Sequence, residues 1–203
     1  MTTRLDTIAA VVLLAGVAIA GCQRANNSGS PPATEKSESA SAASPATPFA
    51  AITPARRYDE PGEAVHDFLV AVRSGDVRTA TSLLTIKAQE EAWRHGLGIA
   101  ADGFPQAQFN VSQVEVLSPT EAHVLAVWTE VDDQNQAQTF ECVWLLGLEA
   151  HGWSISGMAT KFMEQADPIV LNFENQAEMA ARQRWAEEQI ARAKQGDEDQ
   201  TRR

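Results

Sequence analysis

The chain has 203 residues, a formal net charge of −11, 44% hydrophobic residues and two cysteines. The acidic balance argues against a phosphate backbone as partner, since nucleic acid selects surfaces dense in Lys and Arg, and no nucleic-acid role is expected. It equally argues against electrostatic attachment to an anionic membrane.

The N-terminus carries the most specific chemistry. Arg4 is followed by an uncharged apolar run from Ile8 to Ala20. That run is shorter than the roughly 20 residues that span a bilayer as a helix, and it fits the apolar stretch of a signal peptide over residues 1–21. Its end, Ile19-Ala20-Gly21-Cys22, resembles the lipobox of bacterial lipoproteins: a branched aliphatic residue, two small residues and a cysteine. The resemblance implies cleavage before Cys22 and a diacylglycerol thioether on its sulfur. Gln23, in place of Asp, implies passage to the outer membrane of an organism that has one. The expected partner is therefore a membrane, held through lipid at Cys22, with the folded part facing the periplasm or the exterior. Because Cys22 is committed to lipid, Cys142 is expected to be a free core thiol.

Residues 22–57 read as a tether rich in Ser, Ala, Pro and Thr. They hold too little apolar surface to offset their ordering entropy. Flexible-coil scaling gives such a segment a span of about 30–35 Å. From Tyr58 the composition changes. Val65, Phe68, Leu69 and Val72 fall on one helical face, Ser74-Gly75 ends that helix, and Asp76 caps a second one with Ala80, Leu83 and Leu84 inward. A third short helix is predicted from Lys87 to His95, before Gly96, Gly98 and Gly103 break the pattern.

The period then changes to two. Phe109 to Val116 predicts a strand with a bulge at Ser112-Gln113, where the alternation slips. Glu121 to Val131 places Ala122, Val124, Ala126 and Trp128 on one face, with Leu125 and Val127 opposite. A loop at Asp132 to Gln136 leads into a third strand bearing Phe140, Cys142, Trp144, Leu146 and Leu148. His151-Gly152 turns into a fourth strand, with Trp153, Ile155, Gly157 and Ala159 sharing the Trp144 face and Met158 opposite. Asp167-Pro168 to Asn175 reads as extended, and Glu178 to Lys194 as a polar helix fraying from Gly196.

Helices followed by a meander predict an α+β fold, with N-terminal helices on a curved, mainly antiparallel sheet of about four strands plus a polar C-terminal helix. The domain is expected over 58–165, and the extended segment and helix over 166–203. This pattern resembles the nuclear transport factor 2-like superfamily, the cystatin-like α+β cones. The resemblance is carried by Ala64-Val65-x-x-Phe68-Leu69-x-Ala71, the Ser74-Gly75-Asp76 break, Leu83-Leu84, and Trp144 paired with Gly152-Trp153-x-Ile155. Within that superfamily, ketosteroid isomerases and polyketide cyclases use an apolar pocket with an Asp base, and the isomerases add Tyr and a protonated Asp. The carry-over of catalytic residues fails here. The only tyrosine, Tyr58, precedes the first helix, and the inward faces carry no carboxylate except Glu130 and Glu141 near strand ends.

Other candidates are sparse. His66-Asp67 is an acid/base pair by type, although a solvated helix flank explains it as well. Glu91 and His95 stand four apart, but two ligands do not close a metal site. Neither a dinucleotide loop, a P-loop lysine nor a His-Glu-x-x-His helix occurs, so no cofactor or metal is expected. Trp128, Phe140, Trp144 and Trp153, with His66 at the edge, form the candidate ligand pocket; core packing accounts for the same rings. The opposite sheet face is apolar enough to call for cover, by a second copy or by the chain after Phe162. Binding of a protein or a small apolar ligand, without catalysis, is the expected role, with a pocket enzyme of the isomerase/cyclase kind or a structural envelope protein as alternatives.

Overall fold

The structure, a computed structural model, describes residues 49–96, 103–131, 136–161 and 168–201. The signal peptide, the lipobox with Cys22, the tether up to residue 48, the loop at 132–135 and the expected domain end at 165 lie outside these residues.

Helix α1 runs over Pro61–Ser74, with Pro61 fixing the first turn and Glu63 favouring its positive end. Gly75 ends it at φ 72. There the Gly75 and Asp76 N–H groups donate to Val72 and Ala71 carbonyls, closing the helix by a left-handed cap. Asp76 then caps α2, Val77–Ser82, by accepting the Thr79 N–H at 3.0 Å. Thr85 caps α3, Ile86–Arg94, from the Ala88 N–H at 3.2 Å. All three predicted helices are present.

Five antiparallel strands follow in meander order: β1 Gln108–Ser118, β2 Glu121–Val131, β3 Ala137–Glu149, β4 Gly152–Thr160 and β5 Ile169–Asn172. The α+β architecture is therefore as expected, with one strand more. β1 slips register between Val111 and Gln113, as the broken alternation predicted. It slips again between Val116 and Ser118. A third slip, unforeseen, lies in β4: Leu146 pairs with Ile155 but Leu145 pairs with Gly157. Ser156 is the extra residue, and past it every side chain changes face. Met158 therefore pairs with Trp144 and is fully buried, where strict alternation would have placed Gly157 and Ala159.

The bulge also divides the outer edge of β4 between neighbours. Its first half makes isolated parallel bridges from Gly152 to Tyr58 and from Ile155 to Leu84. Its second half pairs with β5. Gly152 adopts φ +109, and a Cβ built there would stand 2.2 Å from the Tyr58 carbonyl oxygen.

The core lies between α1 and the inner sheet face. α1 contributes Val65, Phe68, Leu69 and Val72; the sheet contributes Val124, Trp128, Cys142, Trp144, Ile155 and Met158. Two boundaries move. Phe49 to Arg57, expected as tether, lies along the domain: Phe49 meets Trp93 with ring centroids 5.8 Å apart, and the Ile52 amide pairs both ways with the Gln89 side chain. At the other end β5, Phe173, Met179 and Ala186 belong to the same sheet and core, so the domain continues past 165. The final helix, α4, spans Gln176–Thr201 and continues through Gly196.

Candidate functional site

The inner face brings Trp128, Phe140, Trp144 and Trp153 onto one surface, as the alternation implied. Their state differs from the expected pocket wall. Trp144 is 1% exposed, with the Phe68 ring edge-on at 5.1 Å. Trp128 is 2% exposed, stacked on Phe109 at 5.9 Å and met edge-on by Phe104 at 5.8 Å. Trp153 is buried too. α1, the approach to β1 and β1 itself supply these partner rings, Phe68, Phe104 and Phe109, so the space expected to be a pocket is occupied by side chains. His66 stands apart on the flank of α1, with over half its side chain in solvent; it reaches the set through Phe109, at 5.5 Å. The Trp144 indole N–H has no partner among the described residues.

At the end of the sheet near the β2–β3 connection the packing opens. Phe104, Phe109 and Phe140 are only partly buried around Trp128. Glu130, two residues on and hence on the same face, is half-buried, and its Oε1 accepts the Trp128 Nε1–H at 2.6 Å. Burial raises the Glu130 carboxyl above its ordinary value, against the stabilising bond from Trp128. Such a group can donate a hydrogen bond when protonated and only accept when ionised, among aromatic rings, the Gln138 side chain paired across from it and the Arg73 guanidinium 5.4 Å over the Phe109 ring. Trp-x-Glu on one alternating strand was the signal for it. Glu141, the other end-of-strand candidate, is exposed and pairs with Val127 of the outer face, away from the rings.

Tyr58 is buried, which its position ahead of α1 did not foretell. Its hydroxyl donates to Asp67 Oδ2 at 2.9 Å, and the Arg56 guanidinium lies 4.5 Å over its ring. Arg56 also reaches Glu63 and Asp67, each at 3.0 Å, and His66 Nδ1 lies 3.1 Å from Asp67 Oδ1. Burial would raise the Asp67 carboxyl, but bonds from His66, Tyr58 and Arg56 together bring it below its ordinary value. A carboxylate so well supplied with donors is a poor base. This cluster fastens residues 56–58 to α1.

The remaining candidates are isolated. His95 lies 3.8 Å from Glu91, whose carboxylate also binds Arg94. No three His, Cys, Asp or Glu side chains are placed to share a metal ion among the described residues. Beside His123, Leu145, Ser156 and Glu174 an open recess of about 420 Å³ lies against the sheet. On the outer face Leu125, Val127, Val143 and Leu145 are half-buried. Among the described residues no helix is long and apolar enough to cross a membrane.

No protein-family model matches the chain, and no curated protein matches it. A solved structure is similar in part: the crystal structure of an NTF-2 like protein of unknown function from Shewanella oneidensis MR-1. It shares 16% identity and a TM-score of 0.35, over 46% of this chain and 88% of that one.

Proposed function

We propose that this α+β domain is a binding module held on a membrane by lipid at Cys22, and that it receives an apolar ligand at the Trp128–Glu130 end of the sheet. The observation that supports this is the aromatic rim. Phe104, Phe109 and Phe140 remain partly exposed around a tryptophan whose indole is already committed to Glu130. Apolar surface with a few convergent polar groups, here Glu130 with Gln138 across from it and Arg73 over Phe109, is the usual composition of a small-molecule site. Anchoring rests on the Ile19-Ala20-Gly21-Cys22 sequence. The outer-face homodimer is part of the same reading, supported by the half-buried Leu125, Val127, Val143 and Leu145.

The test is native mass spectrometry of the mature chain purified without denaturant. Wild-type protein is expected to carry a co-purified apolar molecule that Trp128→Ala or Phe140→Asp removes. Ligand-free wild type, or a ligand retained by both variants, would refute the site. Anchoring is checked separately by labelled palmitate, which should enter the wild type and not Cys22→Ser. Sedimentation of the delipidated chain as a monomer at micromolar concentration would exclude the dimer.

A second reading, a pocket enzyme of the isomerase/cyclase kind, is favoured by the raised Glu130 carboxyl, a property a general base working near neutral pH requires. Glu130→Gln separates the two. It keeps an acceptor for Trp128 and should retain a bound ligand, while any proton transfer to that ligand would be abolished.

A further inference from the structure

Helix α3 carries an exposed apolar stripe for which the core has no use. Ile86 and Trp93 stand at i and i+7 and so share a face, with the Glu90–Arg94 ion pair between them. Ile86 is 45% exposed and Trp93 51%, while Ala88, Gln89 and Ala92 fill the buried side. The Phe49 ring packs on Trp93, so the stripe is extended at the point where the described chain begins.

That entry point is fastened. Gln89 holds the Ile52 amide by two hydrogen bonds of 2.7 and 3.1 Å, and Arg56 bridges to Glu63 and Asp67. The chain leading back to Cys22 therefore leaves the domain beside Trp93 and not from a loose end. Cys22 stands 27 positions before Phe49. For the tether expected from its composition, that length corresponds to a span of about 30 Å, comparable with the diameter of the domain itself. The surface at the exit is the one such a leash holds nearest its anchor, at an effective concentration that makes even a weak contact occupied.

The chain as a whole carries −11, yet α3 is balanced, with Lys87 and Arg94 against Glu90 and Glu91. The cations are also paired: Lys87 with Glu174 at 3.3 Å, and Arg94 with Glu90 at 2.8 Å. With Glu174, and with Glu149, which accepts the Ile86 N–H at 3.0 Å, the patch carries a small acidic excess, which a zwitterionic lipid surface does not repel; the Trp93 indole suits its headgroup layer, burying its ring and keeping its N–H wet.

We propose that the Ile86–Trp93–Phe49 stripe rests on the lipid surface to which Cys22 is attached, giving the domain one preferred orientation. The inference rests on the lipid anchor, and its test is arranged to be independent of that anchor. The mature chain is coupled through the Cys22 thiol to a maleimide lipid in phosphatidylcholine vesicles, while buried Cys142 stays unlabelled. Attachment then occurs whether or not cells lipidate Cys22, and palmitate labelling decides that separately. The acyl chains are brominated near the headgroup, and tryptophan emission is compared with that in unbrominated vesicles.

Bromination is expected to remove emission of a size that one tryptophan among five contributes. The loss should disappear in Trp93→Phe and persist in Trp185→Phe. Unquenched wild type would overturn the proposal and leave the stripe to a protein partner or a second copy. Equal quenching in Trp93→Phe would overturn it as well. Unchanged thermal midpoints confirm that the variants are folded, and the wild-type result stands without them.

Discussion

Replacing Gly152 with alanine would place a methyl carbon 2.2 Å from the Tyr58 carbonyl oxygen and 2.6 Å from its nitrogen, at φ +109. No rotamer relieves this, because a Cβ has none and both neighbours are backbone. Forcing a non-glycine residue into a sparsely populated φ/ψ region costs about 1–3 kcal/mol. Displacing Tyr58 also breaks two hydrogen bonds, Trp153 N–H to Tyr58 O at 2.8 Å and Tyr58 N–H to His151 O at 3.3 Å, each worth about 1 kcal/mol. The expected loss is about 3–5 kcal/mol, a large part of the roughly 5–15 kcal/mol that holds a domain together. Gly96 supplies the control. It adopts φ +64 with nothing within 4 Å of a Cβ, so Gly96→Ala should cost only the backbone term, about 1 kcal/mol. Urea unfolding followed by the buried tryptophans reads both variants. A Gly152→Ala midpoint no lower than that of Gly96→Ala would refute the contact between Tyr58 and β4.

Other outcomes follow from the site and its surroundings. Burial raises the Glu130 carboxyl, so protonation is easier in the folded chain than in the unfolded one, and stability is lost as pH rises from the ordinary glutamate range through the folded value. Glu130→Gln should accordingly gain stability over wild type at pH 7, with the difference vanishing near pH 3; an advantage independent of pH would count against the burial argument. Gln89→Ala removes bonds to Ile52 and Leu84 from a side chain 2% exposed, and should cost about 2–3 kcal/mol. It should also speed tryptic cutting after Arg56 and Arg57, and unaltered cutting would show that Phe49 to Arg57 are held by other contacts. Burial pushes the Cys142 thiol up to about 11, so alkylation at pH 8 should await unfolding; prompt labelling of the native chain would contradict its place in the core.

Much of the fold was legible because its elements follow strong periods. The α1 face, the left-handed stop at Gly75 and the β1 bulge each left a mark within a few residues. What escaped depended on distant partners. β5 is four residues long, and its extended character as a strand is supplied by pairing with Gly157 to Thr160. The β4 bulge leaves the local alternation apparently intact; only the bridges from Leu84 and the Phe173 N–H to the Ser156 carbonyl reveal why the face changes there. Phe49 to Arg57 look like tether by composition, and side chains of two later helices, Asp67 of α1 and Gln89 of α3, hold them. For the site, Trp128 and Glu130 were both visible as residue types. Their hydrogen bond was not, since alternation states that two side chains share a face and never that they touch. The aromatic set illustrates the same limit: sequence placed the rings together, and the Phe104 and Phe109 partners decided that they pack.

The bulges of β1 bear on how many copies can live side by side. An outermost strand offers unpaired amides and carbonyls to any neighbouring chain, and regular ladders extend readily from one molecule to the next. β1 is such an outermost strand, yet its pairing slips at Ser112 and again between Val116 and Ser118. Proteins confined to two dimensions meet one another repeatedly at high local density, all in similar orientation, which are the conditions under which open strands zip together. An edge whose hydrogen-bonding rhythm fails twice within eleven residues gives an incoming strand no run long enough to follow, and would, under the proposed anchoring at Cys22, keep a crowded layer of copies from becoming a sheet of its own.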